Sequence, residues 1–190
     1  MGMEMDISFK FSRNLIEQNL TKGEFGLEKE SLRVDSDGFL SHTKHPFEEQ
    51  DNITRDFCEN QIELITDVFG DVHNVIRHLE QLQIRVLETL QKLETGREYL
   101  WPFSNPPYVK GDWDIPIAQF EGELKQKTWY RDYLAGKYGK RIMLFSGIHL
   151  NYSFAEEMLR EGYQEFLSGA DGELSRSETF TYQRYKNQVY

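Results

Sequence analysis

The chain has 190 residues, of which 38% are hydrophobic and 14% aromatic, so it can build a packed core and is not expected to be disordered. Its 32 acidic side chains against 22 basic ones give a net charge of −10, which disfavours nucleic acid or an anionic membrane as a main partner. The single cysteine, Cys58, excludes an intramolecular disulfide, and no apolar run is long enough to span a membrane. With no signal-like core at the N-terminus, these features predict a cytoplasmic protein.

The negative charge is concentrated in one block. Residues 24–71 hold 13 acidic and 4 basic side chains, so most of the net charge lies in about a quarter of the sequence. The block has to be explained either by a solvated acidic surface or by a bound cation.

The first third of the chain mixes helix and strand signals. Helical spacing predicts a helix over 8–20, and an Asp37-Gly38 turn between short apolar runs predicts a hairpin of two strands over 23–40. The segment 53–66 is rich in β-branched and aromatic residues, and both helix and strand remain open for it.

The middle of the chain is clearer. A continuous apolar stripe predicts a long amphipathic helix over 72–95 that ends near Gly96. A proline-rich irregular loop follows at 100–116, in which Pro106-Pro107 is a candidate for an unusual turn or a cis bond. The next helix is predicted over about 117–138.

The last third begins with the cleanest strand pattern, over 141–154. The face expected to meet a core is apolar and consists of Leu144, Ile148, Leu150, Tyr152 and Phe154. Helices are predicted over 155–168 and from Ser177 onward, and Ser8 and Ser177 are candidate N-caps of the first and last helices.

Several carboxylates are spaced so that they share a face. Glu28 and Glu30 lie about 7 Å apart on one face of a strand, where they repel each other unless a cation lies between them. Mg²⁺ and Mn²⁺ prefer such oxygen ligands. Glu59 and Glu63, four residues apart, are expected to share a second face, with Asp56 just before them.

The predicted strand over 141–154 adds two polar candidates. His149 and Asn151 alternate outward from its apolar face, where they are possible further ligands of a cation. On composition alone, solvated side chains explain Glu28 and Glu30 better than a metal site does, and structural hydrogen bonding explains His149 better. The solvated reading is weaker for Glu59 and Glu63, because the neighbouring apolar residues favour burial.

Five motifs in series identify a family resemblance. They are GLEKESLRV (26–34), DFCENQIELIT (56–66), WPFSNPPY (101–108), TWYRDYLAGKYG (128–139) and SGIHLNYSF (146–154). In this order they closely resemble the bacterial type of glutamate–cysteine ligase, including the ligase half of the fused enzyme that also makes glutathione. The resemblance extends over nearly the whole chain.

The resemblance implies a fold and a reaction. The fold is α+β and glutamine-synthetase-like, an antiparallel sheet curved into a funnel with helices packed on its outer face. The reaction joins the γ-carboxyl of L-glutamate to the amine of L-cysteine through a γ-glutamyl phosphate, the first step of glutathione biosynthesis. ATP is the co-substrate, and Mg²⁺ or Mn²⁺ neutralises its triphosphate.

The resemblance also implies residue roles, which fall into three groups. The positions that match metal ligands are Glu28, Glu30, Glu63 and His149, with Asp56 a weaker candidate. Arg131 matches a catalytic position near the nucleotide. The positions that match substrate contacts are Phe57, Tyr130 and Leu134 around the cysteine pocket and Asn151 near the bound amino acids.

The family's catalytic unit is longer than this chain, so residues 1–190 are expected to be the N-terminal portion of one catalytic domain, truncated within a helix. Alone they are expected to carry half a site and to need the remainder of the chain. Two other readings remain open: a carboxylate-bridged two-metal phosphohydrolase, and a non-enzymatic metal-binding or subunit-interaction module.

Overall fold

The computed structural model describes residues 11–19, 21–47, 52–169 and 181–189. The chain divides into two compact units. The larger unit is Phe25–Asn151, and the smaller consists of Met1–Glu24 together with Tyr152–Tyr190. The expectation that all 190 residues belong to one catalytic domain stays a prediction.

A five-stranded sheet organises the larger unit. Its strands are β1 (Gly23–Val34), β2 (Ile53–Arg55), β3 (Gln61–Ile65), β4 (Tyr99–Leu100) and β5 (Ile148–Phe154). The hydrogen-bonded order is β2-β3-β1-β4, and β5 also pairs with β1. The β1–β3, β1–β4 and β2–β3 pairs are antiparallel. An antiparallel sheet with helices is an α+β fold, as predicted.

Strand β1 forms before the predicted Asp37-Gly38 turn, but the expected second strand of its hairpin does not form. The Asp35 side chain accepts hydrogen bonds from the backbone N–H groups of Asp37 and Phe39, which closes a turn directly after the strand. Gly38 takes a φ of 81°, a conformation that favours glycine. After this turn, Val34 and Leu40 form only an isolated bridge.

The ambiguous segment 53–66 is a hairpin made of β2 and β3. In the turn between them, Asp56 donates its N–H to Gln61 O and Gln61 donates to Cys58 O. The apolar residues of this segment, which are also compatible with a helix, form the buried face of the sheet. Ile62 and Leu64 are buried on the face of β3 opposite to Glu63.

The long helix α2 (Val72–Gln91) covers that apolar face. Asp71 caps it by accepting the Asn74 N–H, and Leu82, Val86 and Leu90 pack against Ile53, Ile62 and Leu64. The helix ends at Gln91 with Lys92 as its C-cap, earlier than predicted, and Gly96 lies in the following turn with a φ of 116°. Sheet and helix therefore form two layers, as expected.

A second core cluster lies on the other side of β1. It consists of Leu32, Leu40, Phe57, Cys58, Val109, Ile115 and Leu144. The proline-rich segment is irregular as predicted, and the described residues contain no cis peptide bond. A short 3₁₀ turn also forms at Asp112–Asp114. The helix expected over 117–138 begins later, because a 3₁₀ turn at Gly122–Leu124 precedes α3 (Lys125–Tyr138).

Strand β5 starts seven residues later than predicted, because Arg141–Leu144 forms a 3₁₀ helix. Within the larger unit, only Leu144 of the apolar face meets a core. Ile148 and Leu150 are each 63% exposed, so the expectation that they face a core is wrong for the described residues. Ile148 instead borders an open groove of about 360 Å³ against Ile76 and Ile84 of α2.

The smaller unit contains α1 (Arg13–Asn19), α4 (Glu156–Gly169) and α5 (Tyr182–Val189). Ser12 caps α1 by accepting the Leu15 N–H, whereas the predicted caps Ser8 and Ser177 lie outside the described residues. Glycine fits at position 162, because a Cβ there would come within 2.6 Å of the Phe11 ring and of the Tyr185 hydroxyl. No helix in the described part of the chain is long and apolar enough to cross a membrane.

Candidate functional site

The centre of the acidic block is a cross-strand carboxylate pair. Glu30 of β1 lies directly opposite Glu63 in the antiparallel β1–β3 register. Glu28 lies on the same face as Glu30 by strand alternation. Lys29 and Ser31 lie on the opposite face, where Lys29 Nζ donates to Ser31 Oγ at 3.0 Å. The acids therefore occupy the sheet face opposite to α2.

Asp56 joins this pair from the β2–β3 turn. Carboxylate oxygens of Glu30, Asp56 and Glu63 all lie within 4.8 Å of one another, and all three residues are half-buried. The sequence offered Asp56 as the weaker candidate, and the structure brings it fully into the cluster.

His149 and the start of β5 close the cluster from the other edge of β1. The His149 ring places Nδ1 3.5 Å from a Glu28 oxygen and Nε2 3.9 Å from a Glu30 oxygen. The Gly147 N–H donates to the Glu30 carboxylate at 3.0 Å, and Glu30 N donates to Gly147 O. The four predicted metal-ligand positions and Asp56 are thus adjacent.

The electrostatics of the cluster show an excess of negative charge. Burial, followed by repulsion from the Asp56, Glu28 and Glu30 carboxylates, raises the pKa of Glu63 to about 7. Burial is also the main reason that the pKa values of Glu30 and Asp56 are raised, and Arg131 and His149 counteract this only in part. The described groups do not supply enough positive charge to keep all the acids ionised.

This donor set fits a hard divalent cation. Carboxylate oxygens clustered within 4.8 Å are the ligands that Mg²⁺ and Mn²⁺ prefer, and imidazole suits Mn²⁺ as well. Glu28, Glu30, Asp56, Glu63 and His149 are the residues that would hold the ion. A bound divalent charge would lower the pKa values that burial has raised.

Arg131 lies beside the cluster on α3 and contacts the turn that carries Asp56. Its Nε donates to Asp56 O, its Nη2 donates to Arg55 O at 3.3 Å, and its Nη1 donates to Lys127 O at 2.9 Å. The guanidinium carbon is 4.9 Å from the centre of the Phe120 ring. Arg131 is therefore held next to the carboxylates by backbone and aromatic contacts.

The predicted substrate residues are distributed along the same region. Phe57 is 1% exposed in the core cluster, and Leu134 packs against that cluster from α3. Tyr130 is 60% exposed on α3, and Asn151 is exposed on β5. Leu32 follows Glu28 and Glu30 on one face of β1, so the apolar cluster adjoins the carboxylates.

Glu59 does not share a face with Glu63, and that expectation is wrong. Residue 59 belongs to the turn rather than to a strand, so the four-residue spacing carries no face relationship. Its carboxylate accepts two contacts of 3.0 Å from Arg55 Nη1 and points away from the cluster. The Arg55–Glu59 pair was not foreseen, and its only sequence signal is an opposite-charge spacing that is common on surfaces.

Comparisons with known proteins place this geometry in a family. The family model described as glutamate-cysteine ligase matches residues 9–189. The chain belongs to the glutamate–cysteine ligase family. It is 40% identical over 188 residues to the glutathione biosynthesis bifunctional protein GshAB of Listeria monocytogenes. This alignment covers 96% of this chain and 22% of that protein. A glutamate–cysteine ligase of Clostridium acetobutylicum is 38% identical over 162 residues, 82% of this chain and 33% of the relative.

Two solved structures share the fold. A bifunctional glutathione synthetase from Pasteurella multocida has a TM-score of 0.75 at 29% identity, over 93% of this chain and 22% of that one. A glutamate–cysteine ligase from Francisella tularensis, crystallised with AMP, has a TM-score of 0.67 at 32% identity, over 76% of this chain and 29% of that one. This glutamate–cysteine ligase family member therefore spans about a fifth to a third of the length of its relatives.

Proposed function

We propose that this chain is the N-terminal portion of a glutamate–cysteine ligase. The complete enzyme joins the γ-carboxyl of L-glutamate to the amine of L-cysteine, with ATP as co-substrate and a γ-glutamyl phosphate as the intermediate. The observation that carries the proposal is the cluster of Glu30, Asp56 and Glu63, flanked by Glu28 and His149, in a member of this family.

The cluster supports the phosphoryl-transfer half of the reaction. When bound, Mg²⁺ or Mn²⁺ neutralises the negative charge of the triphosphate and of the transferred phosphoryl group. The chain's own contribution is to hold several carboxylates close together at a fixed register, with one face open. Arg131 adds a permanent positive charge beside Asp56 and Glu63, which is why its predicted catalytic role near the nucleotide is retained as a proposal.

The apolar part of the face supports an amino-acid site. The side chain of cysteine is small and weakly polar, and the partly buried Leu134, packed against the core cluster that contains Phe57, offers an apolar contact near Asp56. Tyr130 and Asn151 are exposed on α3 and β5, where they are free to contact substrates. Their roles as cysteine and amino-acid contacts are part of the proposal.

The remaining polypeptide of the ligase is proposed to complete the site. Both Ile148 and Leu150 of β5 are largely exposed, as are Ile76 and Ile84 of α2. Additional strands would extend the sheet beyond β5 into the glutamine-synthetase-like funnel, and helices packed on its outer face would bury these residues. Such strands would also supply the second half of the substrate site.

The experiment is ADP release by the full-length ligase with ATP, Mg²⁺, L-glutamate and L-cysteine, omitting one component at a time. Formation of ADP is expected to require Mg²⁺ and both amino acids, and to fall by at least about 100-fold in Glu28→Gln because a ligand charge is lost. The matched control is Glu24→Gln, at an exposed position of the same strand.

Three results would decide between the candidate functions. Phosphate release from ATP without either amino acid would favour a phosphohydrolase. No turnover by a folded, full-length protein would favour a binding module. Equal loss in the Glu24 and Glu28 variants would contradict the assignment of the metal site.

A further inference from the structure

The position of Asp56 depends on the β2–β3 turn. Contacts of the Glu59 carboxylate, on the side of the turn away from the cluster, hold this turn in place. Asp56 is the only member of the three-carboxylate cluster that is not on a strand. Strand register fixes Glu30 and Glu63, whereas a turn residue is placed by whatever holds the turn. The contacts of the turn therefore decide whether Asp56 reaches the cluster.

The Glu59 carboxylate joins three separate segments behind this turn. Both oxygens accept from Arg55 Nη1 at 3.0 Å, one also accepts the His45 N–H at 3.0 Å, and the other accepts the Gln119 N–H at 3.3 Å. The Glu59 N–H donates to Pro116 O at 2.8 Å. The side chains of Arg55 and Glu59 are only 4% and 15% exposed, so this pair is largely desolvated.

Arg55 transmits this constraint to Asp56. It precedes Asp56 in the chain, and its guanidinium carbon lies 4.4 Å from the centre of the Phe120 ring. Arg131 lies over the same ring and donates to the carbonyls of both Arg55 and Asp56. Glu59 thus fixes Arg55, and Arg55 and Arg131 together fix the peptide from which the Asp56 side chain projects.

We propose that Glu59 is a positioning residue that holds the metal ligand Asp56 at the cluster by acting through Arg55. Glu59 does not bind the metal. This inference rests on the proposed function only in requiring that the cluster binds a divalent cation. It does not require that the full enzyme use glutamate or cysteine.

The test is a double-mutant cycle on Mn²⁺ affinity in the full-length ligase, measured from the electron paramagnetic resonance signal of free Mn²⁺ without nucleotide or amino acids. In Glu59→Gln an amide N–H₂ replaces one oxygen that accepts N–H donors, so at least one contact becomes donor against donor. The expected result is Mn²⁺ binding weaker by about 10-fold or more, as for other groups that orient metal ligands.

The decisive comparison is made in the Asp56→Asn background. If Glu59 acts through Asp56, adding Glu59→Gln to Asp56→Asn weakens Mn²⁺ binding by less than about 2-fold further, because the ligand it positions is already lost. If the double variant loses Mn²⁺ affinity by the product of the two single-variant factors, the proposal is overturned. The matched control is Glu121→Gln, an exposed residue without a side-chain cap bond, which leaves Mn²⁺ affinity unchanged.

A second pair keeps the test decisive if Glu59→Gln does not fold. Arg55→Lys retains the positive charge beside Glu59 but loses the planar fork, and it is combined with Asp56→Asn in the same cycle. A non-additive loss supports the proposal and an additive loss overturns it. If the full-length protein lacks ligase activity while the cycle is non-additive, the proposed reaction fails and the positioning role stands.

Discussion

Glu30 and Glu63 lie opposite each other on neighbouring antiparallel strands, a placement in which like charges oppose sheet formation. The cost is visible in the Glu63 carboxyl, whose pKa is raised to about 7 by burial and by the surrounding acids. The larger unit therefore retains a destabilising pair that a bound cation would relieve, as expected of a binding site rather than of a purely structural strand pair.

The first prediction concerns the stability of the metal-free protein. Because the folded-state pKa of Glu63 lies above its unfolded value of 4.5, the folded state binds a proton between these values, and stability falls as pH rises from 4.5 towards 7. Glu63→Gln removes this loss. In the presence of a chelator we expect the substitution to raise the thermal unfolding midpoint at pH 7.5 and to change it little at pH 5.

The control variant for this prediction is expected to shift the thermal unfolding midpoint in the opposite direction. Glu59→Gln removes a carboxylate that is paired with Arg55, so it should lower the midpoint at pH 7.5. If both glutamine variants shift the midpoint in the same direction at pH 7.5, the repulsion attributed to Glu63 is not the cause.

The second prediction concerns Cys58. Burial raises the pKa of this thiol well above its usual range, the side chain is fully buried, and its sulfur donates to Asn60. We expect Cys58 to react with a thiol reagent such as DTNB only on unfolding, because thiolate and access are both lacking. Rapid modification of the native protein at pH 8, counted by the released chromophore, would contradict this.

The third prediction concerns the buried ion pair behind β1. Arg33 Nη1 lies 2.8 Å from Glu98, with side chains that are 0% and 4% exposed. Glu98→Ala leaves the Arg33 charge buried without its carboxylate, and we expect a loss of about 3 to 5 kcal/mol in unfolding free energy by denaturant titration. Glu94→Ala, at an exposed position of the same connection, should change it by less than about 0.5 kcal/mol.

The fourth prediction concerns the uncovered face of β5. Since Leu150 is 63% exposed in this chain, Leu150→Asp should reduce self-association of the 190-residue chain in sedimentation velocity. In the full-length ligase the same change should lower unfolding free energy by roughly 1.5 to 3 kcal/mol, because the proposed additional polypeptide would bury the side chain. Full-length protein that tolerates the charge without loss would show that no further polypeptide covers this face.

Strand alternation made much of the cluster predictable. Alternation within a strand places Glu28 and Glu30 on one face of β1 and directs His149 to one face of β5. These placements do not depend on how the neighbouring strands pair. The pairing of Glu30 with Glu63 was not accessible in the same way, because register depends on the length and closure of an intervening turn.

The remaining differences between the sequence-based expectations and the structure arise at a turn and at a strand face that no other element of the described residues covers. The four-residue spacing of Glu59 and Glu63 predicts a shared face only if segment 53–66 is one regular element, whereas the middle of this segment is a turn without periodicity. Ile148 and Leu150 were expected in a core because their alternation is correct for a half-buried strand. What covers that strand is a tertiary property, and alternation within the strand carries no information on it.

The reciprocal hydrogen bonds between Glu30 and Gly147 join residues 117 positions apart. During synthesis, β1 leaves the ribosome long before β5, so the acidic hairpin exists for many seconds without His149 at typical elongation rates of about 5 to 20 residues per second. The nascent chain can offer only weakly held carboxylates to a metal ion in that interval. If the cluster binds a metal ion as proposed, tight binding is a late event in biogenesis that waits until His149 has been synthesised.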